Sequence, residues 1–403
     1  MNEAATATMR PLTVAKFEAH ATATDQLDPT DAATPLLGLV GEIGSLVSAL
    51  KKKRRDTDAY FGYHNTVIEE LGDVLWYFSA VARRGGTSLV ETIARVAGNE
   101  CDPGILTFDD FTTAHAVQSS DFEISLLRLA GESGDLAKRF ADGAYRDNVD
   151  ALRGDLVKLI RAGVRAATAA EVSLADAAIE NMKKTEDRWP ISRQFPTPKD
   201  EPLHIDEQLP RRMRVLIYER NVNGTEFVFQ KAGGVLLGDR VTDNHSPPDD
   251  YRFHDVFHLA HAAVLSWSPT TRALLRIKRK SQRAVDENED GARANLIEEE
   301  LTTWIFEIAK QHKFFANTPR LGFDLLKSVK QFVRGYEAEN LPMWLWESAI
   351  LQGYTVFRSL QNKRCGAIVT DMAERKIWFE PMTDDERRLC GLGIADQKAA
   401  GVD

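Results

Sequence analysis

From Leu36 onward, apolar and polar residues alternate with the period of a helix. The run LLGLVGEIGSLVSALKKK predicts one helix. The run VIEELGDVLWYFSAV predicts a second, with Val67, Leu71, Val74, Leu75 and Phe78 recurring at helical spacing. KKKRRDTD and a turn near Gly62 separate them. Upstream, residues 1–11 are small and polar, and a helix is expected around Phe17 to Ala23, before a loop carrying Pro29 and Pro35. Downstream, Gly85-Gly86 breaks the pattern and Ser88 offers an N-cap for a further helix. Asn99 to Gly104, with Pro103, reads as a connection.

The pattern then begins again. LLRLAGESGDL at 126–136 matches LLGLVGEIGSL at 36–46 in seven of eleven positions, including both glycines and the glutamate. Phe111 and His115 echo Phe17 and His20, Gly154-Asp155 echoes Gly72-Asp73, and Ser173-Leu174 echoes Ser88-Leu89. Such self-similarity marks an internal duplication of about ninety residues. Four helices in each copy predict two repeats, 1–100 and 105–190, packed as a pseudo-dimer within one chain.

Between Trp189 and Pro210 the sequence WPISRQFPTPKDEPLHIDEQLP carries five prolines, so 191–210 is expected to be an extended linker. Beyond it, RVLIYERNVNGTEFVFQ predicts a hairpin turning at Asn221-Val222-Asn223-Gly224. A second hairpin is expected from GAIVTD (366–371) and KIWFE (376–380). Helical patterns lie between the two. The expected fold is therefore mainly α, with an α+β C-terminal domain at 211–382 and a tail at 383–403.

A chain of 403 residues suits two or three domains and a sizeable core. Its net charge of −9 excludes a general nucleic-acid-coating surface. Cys101, Cys365 and Cys390 are too scattered for a disulfide framework or a zinc ribbon, which points to a reducing compartment. The start MNEAATATMRPL lacks an apolar signal core and no apolar run approaches about 20 residues, so a cytoplasmic protein without a membrane span is expected.

Candidate chemistry sits in two places. Glu70 and Asp73, three residues apart, share a helical face that is otherwise apolar, and Glu42 lies on the preceding helix. Carboxylates beside a core stripe are costly unless a positive charge compensates them, and Mg2+ is held in this way together with substrate phosphates. The second place is YRFHDVFHLAHAAVLSW, where His254, His258 and His261 occupy one narrow helical arc. The i, i+4 spacing suits two imidazoles on a second divalent metal, with Glu298, Glu299 and Glu300 as further candidate ligands. Between these two segments, Ser268 and Pro269 open a helix with Arg272, Arg276, Lys278, Arg279, Lys280 and Arg283, either a solvent-exposed face or a phosphate site. For the histidines, a hydrogen-bonded structural stripe is the competing reading.

The segments GLVGEIG and EELGDVLWYF resemble the MazG-like nucleotide pyrophosphohydrolases, an all-α family marked by an ExxE pair on one helix and an ExxD pair on the next. Here ExxD is intact as Glu70 to Asp73, whereas Ser45 replaces the second acid of ExxE. The resemblance implies Mg2+-dependent hydrolysis of a nucleotide to a monophosphate and pyrophosphate, with Glu42, Glu70 and Asp73 holding the metal. It also implies a late helix with phosphate-reaching Asn, Lys and Arg. Asn181, Lys184 and Arg188 match that series in the second copy, while the corresponding ARVAGN of the first has lost it. The second copy in turn keeps Glu132, Asp135 and Asp155 but has Leu152 in place of a glutamate. Complementary decay predicts a composite site, metal ligands from one copy and cations from the other. Trp76, Phe17 and His20 are candidates for base contact or core. Lys51 to Arg55 read as a solvated helix end, favoured there by the dipole. Self-association through the helical repeats is a further candidate. The alternative is a degenerate nucleotide sensor acting on the C-terminal domain or a protein partner. Residues 211 to about 382 resemble a domain found appended to MazG-like proteins, a resemblance that carries no activity with it.

Overall fold

The computed structural model describes residues 11–97, 102, 104–110 and 121–393, and the chain divides into two compact units, 1–193 and 194–403. Phe111 and His115, the proposed echoes of Phe17 and His20, lie outside the described residues, as do Cys101 and Pro103. The molecule is mainly helical with one small antiparallel sheet.

The first unit contains α1 (Val14–Ala23), α2 (Ala33–Asp56), α3 (Tyr63–Arg84), α4 (Leu89–Ala97), α5 (Phe122–Ala141), α6 (Val149–Ala169) and α7 (Leu174–Arg188). Local chemistry sets the boundaries. Thr13 caps α1, Ser88 accepts from Glu91 N at 3.0 Å ahead of α4, and Asp121, Asn148 and Ser173 cap α5, α6 and α7. Lys53, Arg54 and Arg55 end α2, where cations suit the carbonyl end of the helix. Short connections join α2 to α3 and α5 to α6 as helical hairpins. The last helix of each half then packs on the other half, α7 on α3 and α4 on α6, while α2 meets α5. One core runs through all of it, from Leu39 and Ile43 through Leu71, Leu75 and Phe78 to Leu129, Leu156 and Ala177. Each large member contributes about 1.5–3 kcal/mol by leaving water.

By length and mean hydropathy (1.5 over an 18-residue window) α2 could cross a membrane. Its apolar stripe, however, is the face that packs on α3 and α5.

The second unit has a five-stranded sheet ordered β3-β2-β1-β4-β5, from β1 (Arg212–Val222), β2 (Thr225–Ala232), β3 (Val235–Leu236), β4 (Cys365–Asp371) and β5 (Lys376–Glu380). The first hairpin turns at Asn223-Gly224, both at positive φ (54° and 85°), with Val222 paired to Thr225. Asparagine and glycine are the residues that tolerate that backbone. Around the sheet lie α8 (Asp255–Ala260), α9 (Pro269–Leu275), α10 (Arg283–Asn288), α11 (Ala292–Gln311), α12 (Phe323–Phe332), α13 (Met343–Lys363) and α14 (Asp384–Leu389). Ser268 and Pro269 open α9 as their types require. The core centres on Val215 and Ile217 of β1, Val256 of α8, and Trp346 and Phe357 of α13.

The proline-rich stretch expected as a linker belongs to this unit from residue 194 onward. Asp200 is 1% exposed and pairs with Arg272 at 2.5 Å, Leu209 is buried with its N–H donating to Asp200 (2.7 Å), and Arg375 donates to the Pro196 carbonyl. The tail is likewise docked through residue 389, with a Thr383/Glu386 capping box whose Glu386 accepts from Arg214 at 2.6 Å.

Candidate functional site

Two glycines let three helices of the first unit approach closely. A Cβ on Gly38 would fall 2.2 Å from the Tyr77 ring, so α2 and α3 touch one turn from Glu42. A Cβ on Gly72 would fall 2.4 Å from the carbonyl oxygen of Ala177, so α7 lies directly against α3 beside Asp73. Into the space between project Glu42 from α2, Glu70 and Asp73 from α3, and Asn181 and Lys184 from α7.

One oxygen from each of Glu42, Glu70 and Asp73 lies within 4.8 Å of the others. Asn181 Nδ2 donates to Asp73 Oδ1 at 2.8 Å, and Lys184 Nζ donates to Asp73 Oδ2 at 2.5 Å and to Glu69 Oε1 at 3.1 Å. Glu69 and Tyr77 were not foreseen. The signal for Glu69 was its place beside Glu70 in a doublet, and for Tyr77 the need for an atom to cover Gly38.

Burial and mutual repulsion raise the acids. Glu70 is pushed up to about 8, first by burial and then by Glu42, which shares its proton. Glu42 is raised chiefly by burial, and so is Asp73, against the opposing pull of Lys184 and Asn181. Burial would lower Lys184, but Asp73 and Glu69 more than reverse this and hold it charged. Such a cluster fits a hard dication. The donors are all oxygen, they converge from two helices, and a cation among them relieves the repulsion that otherwise keeps a proton on the pair. Ser45, one turn beyond Glu42, adds only a neutral hydroxyl.

The corresponding place in the second half is built differently. Asp155 is held by Arg139 (2.7 Å), Lys158 (2.9 Å) and the Tyr145 hydroxyl (2.9 Å). Burial raises it, yet these donors prevail and its carboxyl sits below the usual range. Leu152, at the place of the missing glutamate, is buried against Gly85. Three protein donors already surround Asp155, and the apolar Leu152 stands where the first half has Glu70, so no comparable acidic cluster forms there among the described residues.

The other expected contacts divide. Trp76 is core: it is 7% exposed and its Nε1 donates to Thr24 Oγ1 at 3.3 Å, so the base-contact reading gives way. Phe17 is fully buried against Phe108, and His20 shares a hydrogen bond with Thr185 (2.9 Å), with burial lowering its pKa. Arg188 is buried at the end of α7 with its guanidinium 5.2 Å from the Trp189 ring centre.

In the second unit the three histidines converge with two glutamates of α11. His258 Nδ1 lies 3.2 Å from Glu298 Oε1 and its Nε2 lies 3.3 Å from Glu299 Oε1. His261 Nδ1 donates to Glu298 at 2.8 Å, while the other Glu298 oxygen accepts from Ser268 Oγ (3.0 Å) and Thr270 N (2.9 Å). Burial opposes ionisation of Glu298, but the flanking His258 and His261 hold its carboxyl well below the usual range. At His261 the helix widens into a π-turn, His261–Leu265, a form that recurs at functional sites.

Residues 194–383 match the family model of the MazG C-terminal domain. No curated protein and no solved structure matches the chain. The match to the MazG C-terminal domain begins at the same residue as the second unit, ahead of the first strand, and ends at residue 383 within it. Within the MazG C-terminal domain the basic run of α9 and its successor is neither a free surface nor a phosphate cradle at its core. Arg272 and Arg279 are each 2% exposed, the first paired with Asp200 and the second with Asp290 (2.7 Å) and Glu337 (2.8 Å).

Proposed function

We propose that the first unit is a Mg2+-dependent nucleotide pyrophosphohydrolase, converting a nucleotide to its monophosphate and pyrophosphate. The observation that carries this reading is the meeting of Glu42, Glu70 and Asp73 with Asn181 and Lys184, residues from both halves of the duplicated sequence, at one carboxylate. Together with the MazG C-terminal domain that follows, it favours the activity the sequence resemblance implied.

Glu42, Glu70 and Asp73 would hold the metal, which supplies neutralisation of phosphate charge and activation of a water. Asn181 fixes one Asp73 oxygen and so sets the carboxylate plane. Lys184, bound to Asp73 and Glu69, is a flexible ammonium within a side-chain swing of any phosphate lying over the triad, where a charge-assisted contact stabilises charge leaving with pyrophosphate. Glu70 carries a proton near neutral pH until a cation displaces it.

A degenerate nucleotide sensor is the second reading. Ser45 favours it, as does the Lys184–Asp73 contact, because an ammonium already satisfies that carboxylate. Pyrophosphate release from a panel of nucleoside triphosphates, with and without Mg2+, separates the two. Metal-dependent turnover supports hydrolysis, and nucleotide binding without turnover supports the sensor.

A further inference from the structure

We propose that the MazG C-terminal domain of this chain holds a borderline divalent metal of the zinc class on His254 Nε2, His258 Nε2 and the Glu299 carboxylate, with one coordination position open to solvent. The three donor atoms lie within 4.8 Å of one another, one imidazole pair at i, i+4 and one acid from a facing helix. In a tetrahedral zinc site, bonds of about 2.0–2.2 Å set neighbouring ligands about 3.3 Å apart. His258 Nε2 and Glu299 Oε1 are separated by 3.3 Å, and His254 Nε2 and Glu299 Oε2 by 3.8 Å.

The tautomers are prepared for it. His254 Nδ1 faces the Tyr251 carbonyl at 2.9 Å, and only an N–H can face a carbonyl, which leaves the Nε2 lone pair outward. The His254 ring is held in place by stacking on Tyr251, centroid to centroid 4.4 Å. His258 Nδ1 faces Glu298, the carboxylate–histidine pairing that orients metal-bound imidazoles. Glu298 is in turn fixed by His261, Ser268 and the Thr270 N–H, so His261 supports the site instead of ligating. Asp255 lies 3.5 Å from His254 Nε2, with its other oxygen bound by Gln230.

An independent observation points the same way. His258 is 0% exposed, yet neither ring nitrogen has an aligned hydrogen-bond partner among the described residues. At Nε2 the Glu299 oxygen is at the right distance but off the N–H direction, as expected of two ligands that converge on a point between them, while Glu298 stands 3.2 Å from Nδ1 on the other side of the ring. The Glu299 side chain is 39% exposed, giving the ion an entry path and a face where water or an oxygen-bearing ligand completes the shell.

The test uses the full-length chain carrying Glu70→Gln, so that the acidic triad does not compete, stripped with a chelator and equilibrated by dialysis against Zn2+. About one equivalent of bound zinc is expected by elemental analysis. His254→Ala and Glu299→Gln, each added to that background, should weaken binding by at least about a hundredfold, while Glu300→Gln on the exposed neighbour should not. Glu299 is partly exposed and His254 lies near the surface at 12% exposed, and melting curves check that each variant is folded. Zinc binding absent from the parent, or equal in all four proteins, would overturn the proposal and leave His258 as a protonated bridge between two carboxylates.

Discussion

The Lys184 ammonium lies 2.5 Å from Asp73 Oδ2, joining residues 111 positions apart in the chain, one on α3 and one on α7. Neither half holds this arrangement alone. Replacing Lys184 by Ala removes the ammonium proposed to meet the phosphate, a charge-assisted contact of about 1.5–3 kcal/mol. We expect kcat/KM for pyrophosphate release to fall about tenfold to a hundredfold. Asp155→Asn, at the equivalent place in the other half, should leave turnover within about twofold and cost about 1 kcal/mol of stability, because its two cationic partners are about half exposed to solvent. Equal kinetic losses in the two variants would refute the composite site.

Glu70→Gln should lower Mg2+-dependent turnover by about a hundredfold or more, since the metal is asked for several kcal/mol of charge stabilisation. The fold should survive, because Glu70 already carries a proton near neutral pH. Normal turnover in a folded variant would remove Glu70 from the metal site.

The same proton sets a pH dependence. Glu70 is raised from 4.5 to about 8, so the native state binds a proton that the unfolded chain releases. Metal-free stability should therefore be greatest below about pH 4.5, as far as this group is concerned, and fall as pH rises toward about 8. Melting temperatures measured in chelator should decline over that window, less steeply in Glu70→Gln, and Mg2+ should reduce the decline. A flat profile in the wild-type protein would show that the acids are not crowded as described.

Gly72 and Gly41 offer a matched pair. Gly72→Ala places a methyl 2.4 Å from the Ala177 carbonyl and should destabilise by about 1–3 kcal/mol while parting Asn181 and Lys184 from Asp73. Gly41→Ala meets nothing within 4 Å in mid-helix and should stabilise by about 0.5–1 kcal/mol. Thermal melts of both variants, with turnover measured on the same samples, check the contrast.

Helical periodicity located α2 and α3, and Asn-Gly chemistry located the first hairpin, because both signals are local. The acidic triad was legible for the same reason, as two short motifs. What could not be read were facts of packing. Trp76 looks like a ligand-facing aromatic in a list of residues, but the side of α3 it occupies is settled by Thr24, far away in sequence. Arg272 and Arg279 look like a solvated basic face, and only the chain folding back brings Asp200, Asp290 and Glu337 to bury them. Spacing placed His261 with His254 and His258, while the π-turn it opens and its hydrogen bond to the facing Glu298 are visible only in the fold.

The Asp200–Arg272 pair also bears on where a fragment of the second unit should begin. A gene cut at Arg211, just ahead of β1, keeps every described strand and α-helix of the second unit. It discards Asp200, the Glu207 carbonyl that Arg272 also reaches at 2.7 Å, and the Pro196 carbonyl beneath Arg375. Arg272 would be left enclosed with Asp290 at 3.8 Å as its remaining carboxylate, and stranding a buried charge costs about 3–5 kcal/mol. A fragment beginning at Gln194 should be soluble and cooperative on melting, whereas one beginning at Arg211 should aggregate when expressed.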